Sequence, residues 1–257
     1  MDILRKELNA LYASQHLEEE KLDTATIKEA VELVKAYVAV NNCCCVITDA
    51  SADICYIIGG RFSHLLGITD SHSIYEKMAS SDEDVIYTRL HPEDLVEKRM
   101  LEYEFFRYVD SLSGEDKKKV KATCTIRIKN RSGNYIAVAN STQVLFPSPA
   151  GKTWLILCCY DISSVPQYPD GISPRIVNNI TGEIVIVSTM ERRQNILTPR
   201  EKEILRLIQQ GRPSKQIADI LDISIHTVNR HRQNIIGKLS VGSTIEAIMA
   251  ATLMKLL

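Results

Sequence analysis

Two short helices joined by a turn of a few residues constrain this chain more than any other feature. Thr198-Pro199-Arg200-Glu201 places a capping hydroxyl, a proline at the first helical position and a glutamate three residues after the cap, so orphan amide donors are satisfied reciprocally and a helix must begin there. Ile204, Leu205 and Ile208 give it an apolar stripe and Gly211 can end it. A second helix from about Ser214 buries Ile217, Ala218 and Leu221, and Leu221-Asp222-Ile223-Ser224 leads into a third, Ile225 to Leu239, with Ser224 as its cap. Two helices so closely joined make a helix-turn-helix.

On a helical wheel, Ile235 and Leu239 fall within about 20° of Val228 and define the side of the third helix that packs inward. The opposite side carries His226, Asn229, Arg230, Gln233 and Asn234, side chains able to bond base edges, arginine to guanine and amides to adenine. His226, Asn229, Arg230 and Gln233 are the expected base readers. Thr227, His231, Arg232, Asn234 and Lys238 flank them, and Ser214 and Lys215 open the second helix; these seven are expected to hold phosphates. Charge supports this reading locally. The whole chain has a net charge of -1, yet from Glu191 onward 11 Lys and Arg stand against 6 Asp and Glu, so the basic surplus is confined to this end.

A fourth helix starts at Ser243, with Glu246 completing a second capping box. Ile245, Ile248, Met249, Thr252, Leu253 and Leu256 recur at three- and four-residue steps, more apolar surface than a small domain needs, so they are expected to pair two protomers. Double-stranded DNA and a second copy of the chain are the expected partners. The segments LTPREKEIL, SKQIADILDIS, HTVNRH and NIIGKL, in that order, resemble the LuxR-type (GerE-like) DNA-binding domain of bacterial transcription regulators. The resemblance implies an all-α four-helix domain and puts the family's third-helix Thr, Val and His on Thr227, Val228 and His231, with its base-reading positions on Asn229, Arg230 and Gln233. Asp222, Arg232 and Gly237 depart from the family pattern.

The remaining chain has a different character. Residues 1–40 read as two helices, the second striped by Ile27, Val31, Val34 and Val38, with Asp23, Thr24 and Thr26 offering capping oxygens. CCCVITD and DICYIIGG read as strands; Phe62 to Leu112 reads as helical, broken at 69–73 and at Leu90-His91-Pro92; and 123–129, 135–146 and 153–162 read as three more strands. That order, with the HPED segment and Asp161-Ile162-Ser163, resembles a PAS sensor domain over residues 41–165, an α+β fold with a five-stranded antiparallel sheet. Residues 166–192 are expected to be a linker with a short hairpin packed on a neighbour, leaving 193–257 for the DNA-reading domain.

Seven clustered cysteines, an odd number without CxxC, suit reduced, buried packing better than a thiol sensor or metal site, and the start of the chain lacks secretory features, so a cytoplasmic location is expected. The acidic run at 82–84 reads as an exposed helix start. His64, His72 and His91 read as structural rather than as haem ligands, and no cofactor or metal is expected. P-loop, GxSxG, HExxH and dinucleotide fingerprints are missing from the sequence, which argues against an enzyme. Two readings of the PAS-like domain stay open: a sensor of an unknown small molecule or protein signal, or a ligand-free docking and dimerisation module.

Overall fold

The structure is a computed structural model describing residues 3–68, 74–79, 83–164, 171–186, 196–239, 241–253 and 256–257. The chain divides into two compact units, Leu8–Val187 and a second made of Ser188–Leu257 with Met1–Glu7.

The larger unit is an antiparallel sheet with helices on both faces. The C-terminal part of α1 (Ile3–Ala13), from Leu8 on, and α2 (Thr24–Asn41) precede strands β1 (Cys44–Asp49) and β2 (Ile54–Gly59). Asp23 caps α2 by accepting from the Ala25 amide at 2.8 Å. After α3 (Arg61–Leu65), β3 (Ile74–Met78), α4 (Asp84–Tyr87) and the long α5 (Pro92–Asp110) come β4 (Val120–Lys129), β5 (Tyr135–Pro147), β6 (Thr153–Ile162), β7 (Arg175–Asn178) and β8 (Ile184–Ile186). The strand order is β3-β2-β1-β6-β5-β4-β7-β8.

Among the described residues the sheet thus has eight strands, not the expected five. Strand β3 lies in a segment read as helical; it exists because it pairs with β2 over Cys55 to Gly59, a tertiary contact with no local periodicity to announce it. Residues 175–186 form a hairpin, and the neighbour its first strand packs on is β4, which extends the sheet. The five expected strands themselves occupy the order β2-β1-β6-β5-β4.

Alternation along the central strands sorts side chains to two cores. Cys44, Val46, Cys55, Ile57, Ile156, Cys158 and Tyr160 join Phe105, Phe106 and Val109 of α5 on one face. Cys43, Cys45, Ile47, Tyr56, Ile58, Leu155 and Leu157 meet Ala30, Val31, Val34 and Val38 of α2 on the other. Strands β1 and β2 are consequently buried almost throughout, whereas β4 alternates buried and half-buried positions.

The smaller unit contains α6 (Pro199–Gln209), α7 (Ser214–Leu221), α8 (Ile225–Lys238) and α9 (Thr244–Leu253). The expected capping box is present: the Glu201 amide donates to Thr198 Oγ1 at 3.2 Å and the Thr198 amide to Glu201 Oε2 at 2.8 Å. Val228, Ile235 and Leu239 are buried with Ile204, Leu205, Ile217 and Ala218. Asp222 turns the chain between α7 and α8 in the left-handed conformation, φ 51°, which an aspartate tolerates better than most side chains. Among the described residues, no helix is long and apolar enough to cross a membrane.

Candidate functional site

Helix α8 presents two unlike faces. Its N-terminus is fixed by Ser224, whose Oγ accepts from the Thr227 amide at 3.0 Å. Val228 and Ile235 anchor the inner face, and the rotation they impose turns His226, Asn229, Arg230, Gln233 and Asn234 to the exposed side. A row of exposed amide and guanidinium donors on one helix suits the width and donor-acceptor code of a DNA major groove.

The expected phosphate contacts divide into two groups. Lys215 is exposed near the start of α7, a helix whose cap position is Pro213 and supplies no side-chain acceptor, so its first amides stay available to an anion. Arg232 and Lys238, also expected at phosphates, make bonds inside the module. Arg232 donates from Nη1 to Ser214 Oγ at 3.1 Å and from Nη2 to Thr244 Oγ1 at 3.2 Å, tying α8 to the starts of α7 and α9. Lys238 Nζ lies 2.7 Å from Oε2 of the buried Glu201. The half-buried Ser214 is thereby an acceptor within the fold. Thr227 Oγ1 sits 2.8 Å from Ser224 Oγ at the cap, and the half-buried His231 keeps Nδ1 buried without a hydrogen-bond partner among the described residues.

The expected pairing surface on α9 is also mixed. Ile245 is 73% exposed and Met249 59%, with Ile248 half-buried beside them. Thr252 is exposed and accepts from Gln209 Nε2 at 3.4 Å. Leu256, expected on the pairing surface, is 4% exposed and buried within its own chain, beyond the described span of α9. The side chain of Leu253 lies outside the described residues.

The sheet unit holds a second cluster that the sequence did not announce. On the face covered by α5, Lys98 Nζ donates to Glu102 Oε1 at 2.7 Å, Tyr87 donates to the same carboxylate, and the Arg99 guanidinium lies 4.2 Å over the Tyr87 ring. Glu83 accepts from the Tyr160 hydroxyl. Glu83, Lys98, Arg99 and Glu102 are all buried, so Glu83 is not the exposed helix start expected of the acidic run, whose Asp82 lies outside the described residues. Burial pushes the Glu83 carboxyl up, with Lys98 pulling the other way. Burial also opposes ionisation of Glu102, but Lys98 and Arg99 outweigh it and hold that carboxyl below its usual range. Beside the cluster is a void of about 20 Å³ bounded by Tyr12, Glu83, Tyr87, Arg99, Glu102 and Cys158, on the scale of one water molecule. The spacing of Lys98 and Glu102 was the one local signal, and it looks identical on a solvated helix.

Of the expected structural histidines, His91 has Nδ1 3.5 Å from Glu93, and Arg127 bonds both Glu93 and Asp94. A guanidinium therefore occupies the ground a cation would need among these three residues. Six of the seven cysteines are buried and Cys159 is half-buried.

A compact helix-turn-helix whose third helix exposes a row of amide and guanidinium donors is a DNA-binding domain by its class. Comparison with known proteins specifies it: residues 195–251 match the model of the bacterial regulatory proteins of the luxR family, GerE, and this segment is a LuxR-type helix-turn-helix domain. The nitrate/nitrite response regulator protein NarL of Escherichia coli K12 is 48% identical over 60 residues, 23% of this chain and 28% of that protein. The transcriptional regulatory protein ComA of Bacillus subtilis is 38% identical over 61 residues, 24% of this chain and 28% of that one. The chain thus spans under a third of the length of these relatives. Among solved structures, a phage VqmA–DPO complex aligns over 88% of this chain and 87% of that one at 16% identity, with a TM-score of 0.30.

Proposed function

We propose that this protein is a cytoplasmic, dimeric transcription regulator in which a PAS-like sheet unit senses a signal and α8 reads DNA in the major groove. One observation carries the DNA reading: Asn229, Arg230 and Gln233 stand exposed on the side of α8 opposite its buried anchors, with no side-chain hydrogen bond to any described residue. Donors left unengaged by the fold are available to base edges. The PAS-like reading is supported by the order of β2-β1-β6-β5-β4 and by helices on the sheet's faces. Pairing draws support from Ile245 and Met249 on α9 and from Leu33, Tyr37 and Val40, an exposed apolar stripe on α2.

Sensing, in this reading, biases how two protomers pair and hence how their α8 helices match two half-sites. A second reading makes the sheet unit a docking and dimerisation module without a ligand, and the filled, self-paired cluster around Lys98 and Glu102 favours it. Native mass spectrometry of the purified chain separates the two, because a retained small molecule excludes the docking version.

The DNA reading is tested by selecting bound sequences from a random duplex pool. Arg230→Ala is expected to cost about 1–3 kcal/mol of preference at one base pair, and Lys215→Ala to weaken all sequences alike while flattening the salt dependence by about one charge. Equal losses at every sequence for both variants would remove Arg230 from the reading face.

A further inference from the structure

We propose that Cys45 and Cys159 are a covalent modification site: a cross-strand pair that peroxide converts to a disulfide, with Cys159 as the thiol that reacts first. The fold divides the seven cysteines by strand alternation. Cys44, Cys55, Cys124 and Cys158 belong to the core under α5, and the Cys124 and Cys158 sulfurs lie 3.6 Å and 3.3 Å from Asn140 Oδ1 and Thr142 Oγ1 respectively. Cys43, Cys45 and Cys159 face the other way, beneath α2.

There β1 and β6 run antiparallel with Cys45 directly opposite Cys159. Opposed residues in such a ladder keep their Cα atoms about 4.5–5.5 Å apart, inside the ~4.4–6.8 Å range that disulfides span. The sulfurs are 3.4 Å apart, with Cys45 donating its S–H toward Cys159, and Cys43 Sγ, from the residue just before β1, is 3.7 Å from Cys45 Sγ. Cys43 lies just before β1, outside its ladder with β6, and faces no cysteine there. Bond formation therefore needs side-chain rotation at Cys45 and Cys159 and leaves the strand pairing in place.

Access separates the two thiols. Cys45 is fully buried, whereas Cys159 is half-buried and lines a groove of about 290 Å³ with Tyr37, Asn140, Asp161 and Arg175. Hydrogen peroxide entering the groove meets Cys159. Its thiolate attacks one peroxide oxygen, an S–O bond forms, the O–O bond breaks, and the departing hydroxide takes a proton and leaves as water. Cys45 then attacks the sulfenic sulfur: the S–S bond forms, the S–O bond breaks, and the second hydroxide leaves as water with the Cys45 proton. Two thiols are oxidised and one peroxide is reduced to two waters. The 3.4 Å approach of Cys45 to Cys159 presents the resolving sulfur at close range.

This chemistry belongs to the sheet unit alone, so its failure leaves the DNA reading untouched. The test treats the reduced full chain with hydrogen peroxide, denatures it in an alkylating reagent and counts adducts by intact mass. Two of the seven cysteines should escape alkylation, at monomer mass, and dithiothreitol should restore them. Cys43→Ala should keep this protection. Cys159→Ala should abolish it, with Cys159→Ser as the replacement if the alanine variant fails to fold. Cys45→Ala should stop the reaction at a sulfenic acid trapped by dimedone on Cys159. Protection that survives loss of Cys159, vanishes with Cys43, arises only at dimer mass or never arises would overturn the assignment.

Discussion

At the residue scale, one type of side chain takes opposite roles in the DNA-binding domain according to what lies within reach. Lys215 extends from the start of α7 without a hydrogen bond or ion pair among the described residues, while Lys238 is drawn back onto Glu201 at 2.7 Å. Glu201 is buried by its place in the capping box, and the Thr198 amide at 2.8 Å is its other donor at Oε2. A carboxylate so placed is costly without a counter-charge. Lys238→Met should lower stability by about 1–3 kcal/mol, the range for leaving a buried polar group short of a partner, and should leave the salt dependence of DNA binding unchanged. Urea unfolding and binding titrations at several salt concentrations measure the two effects. A flattened salt dependence with unchanged stability would return Lys238 to the phosphate contacts. Arg232 belongs with it: a planar fork bonding Ser214 and Thr244 at once cannot be reproduced by lysine.

At the scale of elements, α5 gains its position from its burial of charge as much as of apolar surface. Lys98 is enclosed by Glu102, Tyr87 and Tyr160, its ammonium 5.4 Å and 5.7 Å from the two ring centres. Removing one partner of such a pair leaves the other uncompensated in the interior, so Lys98→Met should cost about 3–5 kcal/mol, and adding Glu102→Gln should recover part of the loss. Chemical denaturation of the single and double variants reads that coupling. Glu83 gives a pH signature. Its folded-state carboxyl titrates above the ordinary range, ~4.3 for an exposed glutamate, because burial disfavours the charge. The native state then holds a proton that the unfolded chain has released, so this group's contribution is present below the ordinary carboxyl pKa and fades as pH rises through the elevated one. Glu83→Gln should remove that decline, and the gap between the two Tm curves should widen from acid toward neutral pH; a constant gap would show that Glu83 ionises normally.

The same elements show what a sequence discloses. Helices α6 to α8 were legible because caps, breakers and the positions of Val228, Ile235 and Leu239 are local instructions. Strand β3 was not, because its identity comes from β2, and the join of β7 to β4 was not, because a Thr-Gly turn specifies a hairpin and not its neighbour. The charges of α5 read like a solvated face, and only remote Tyr87, Glu83 and Tyr160 make them an interior network. At the candidate site the exposed row was legible from the wheel, whereas the withdrawal of Arg232 and Lys238 depended on residues 12 to 37 positions away.

At the scale of the whole molecule, each unit offers apolar side chains that its own core does not use: Leu33, Tyr37 and Val40 on α2, and Ile245 and Met249 on α9. A pair of protomers joined through such surfaces presents two reading helices to one duplex, and the second binding event becomes intramolecular. Affinity for two half-sites should then exceed that for one by far more than a factor of two, without any new base contact. Replacing both Ile245 and Met249 with Glu puts like charges on the surface proposed to pair with itself, while the buried Ala247, Ala250 and Ala251 still hold α9 to its domain. That variant should stay folded and bind a single half-site as the parent does, yet lose about 10²-fold or more on a two-half-site duplex. Fluorescence anisotropy on both duplexes, with sedimentation velocity of the free proteins, reports the outcome. Equal affinity of parent and variant for the two-half-site duplex would mean that α9 does not join the protomers, and would shift that role to the stripe on α2, where Val40→Glu asks the same question.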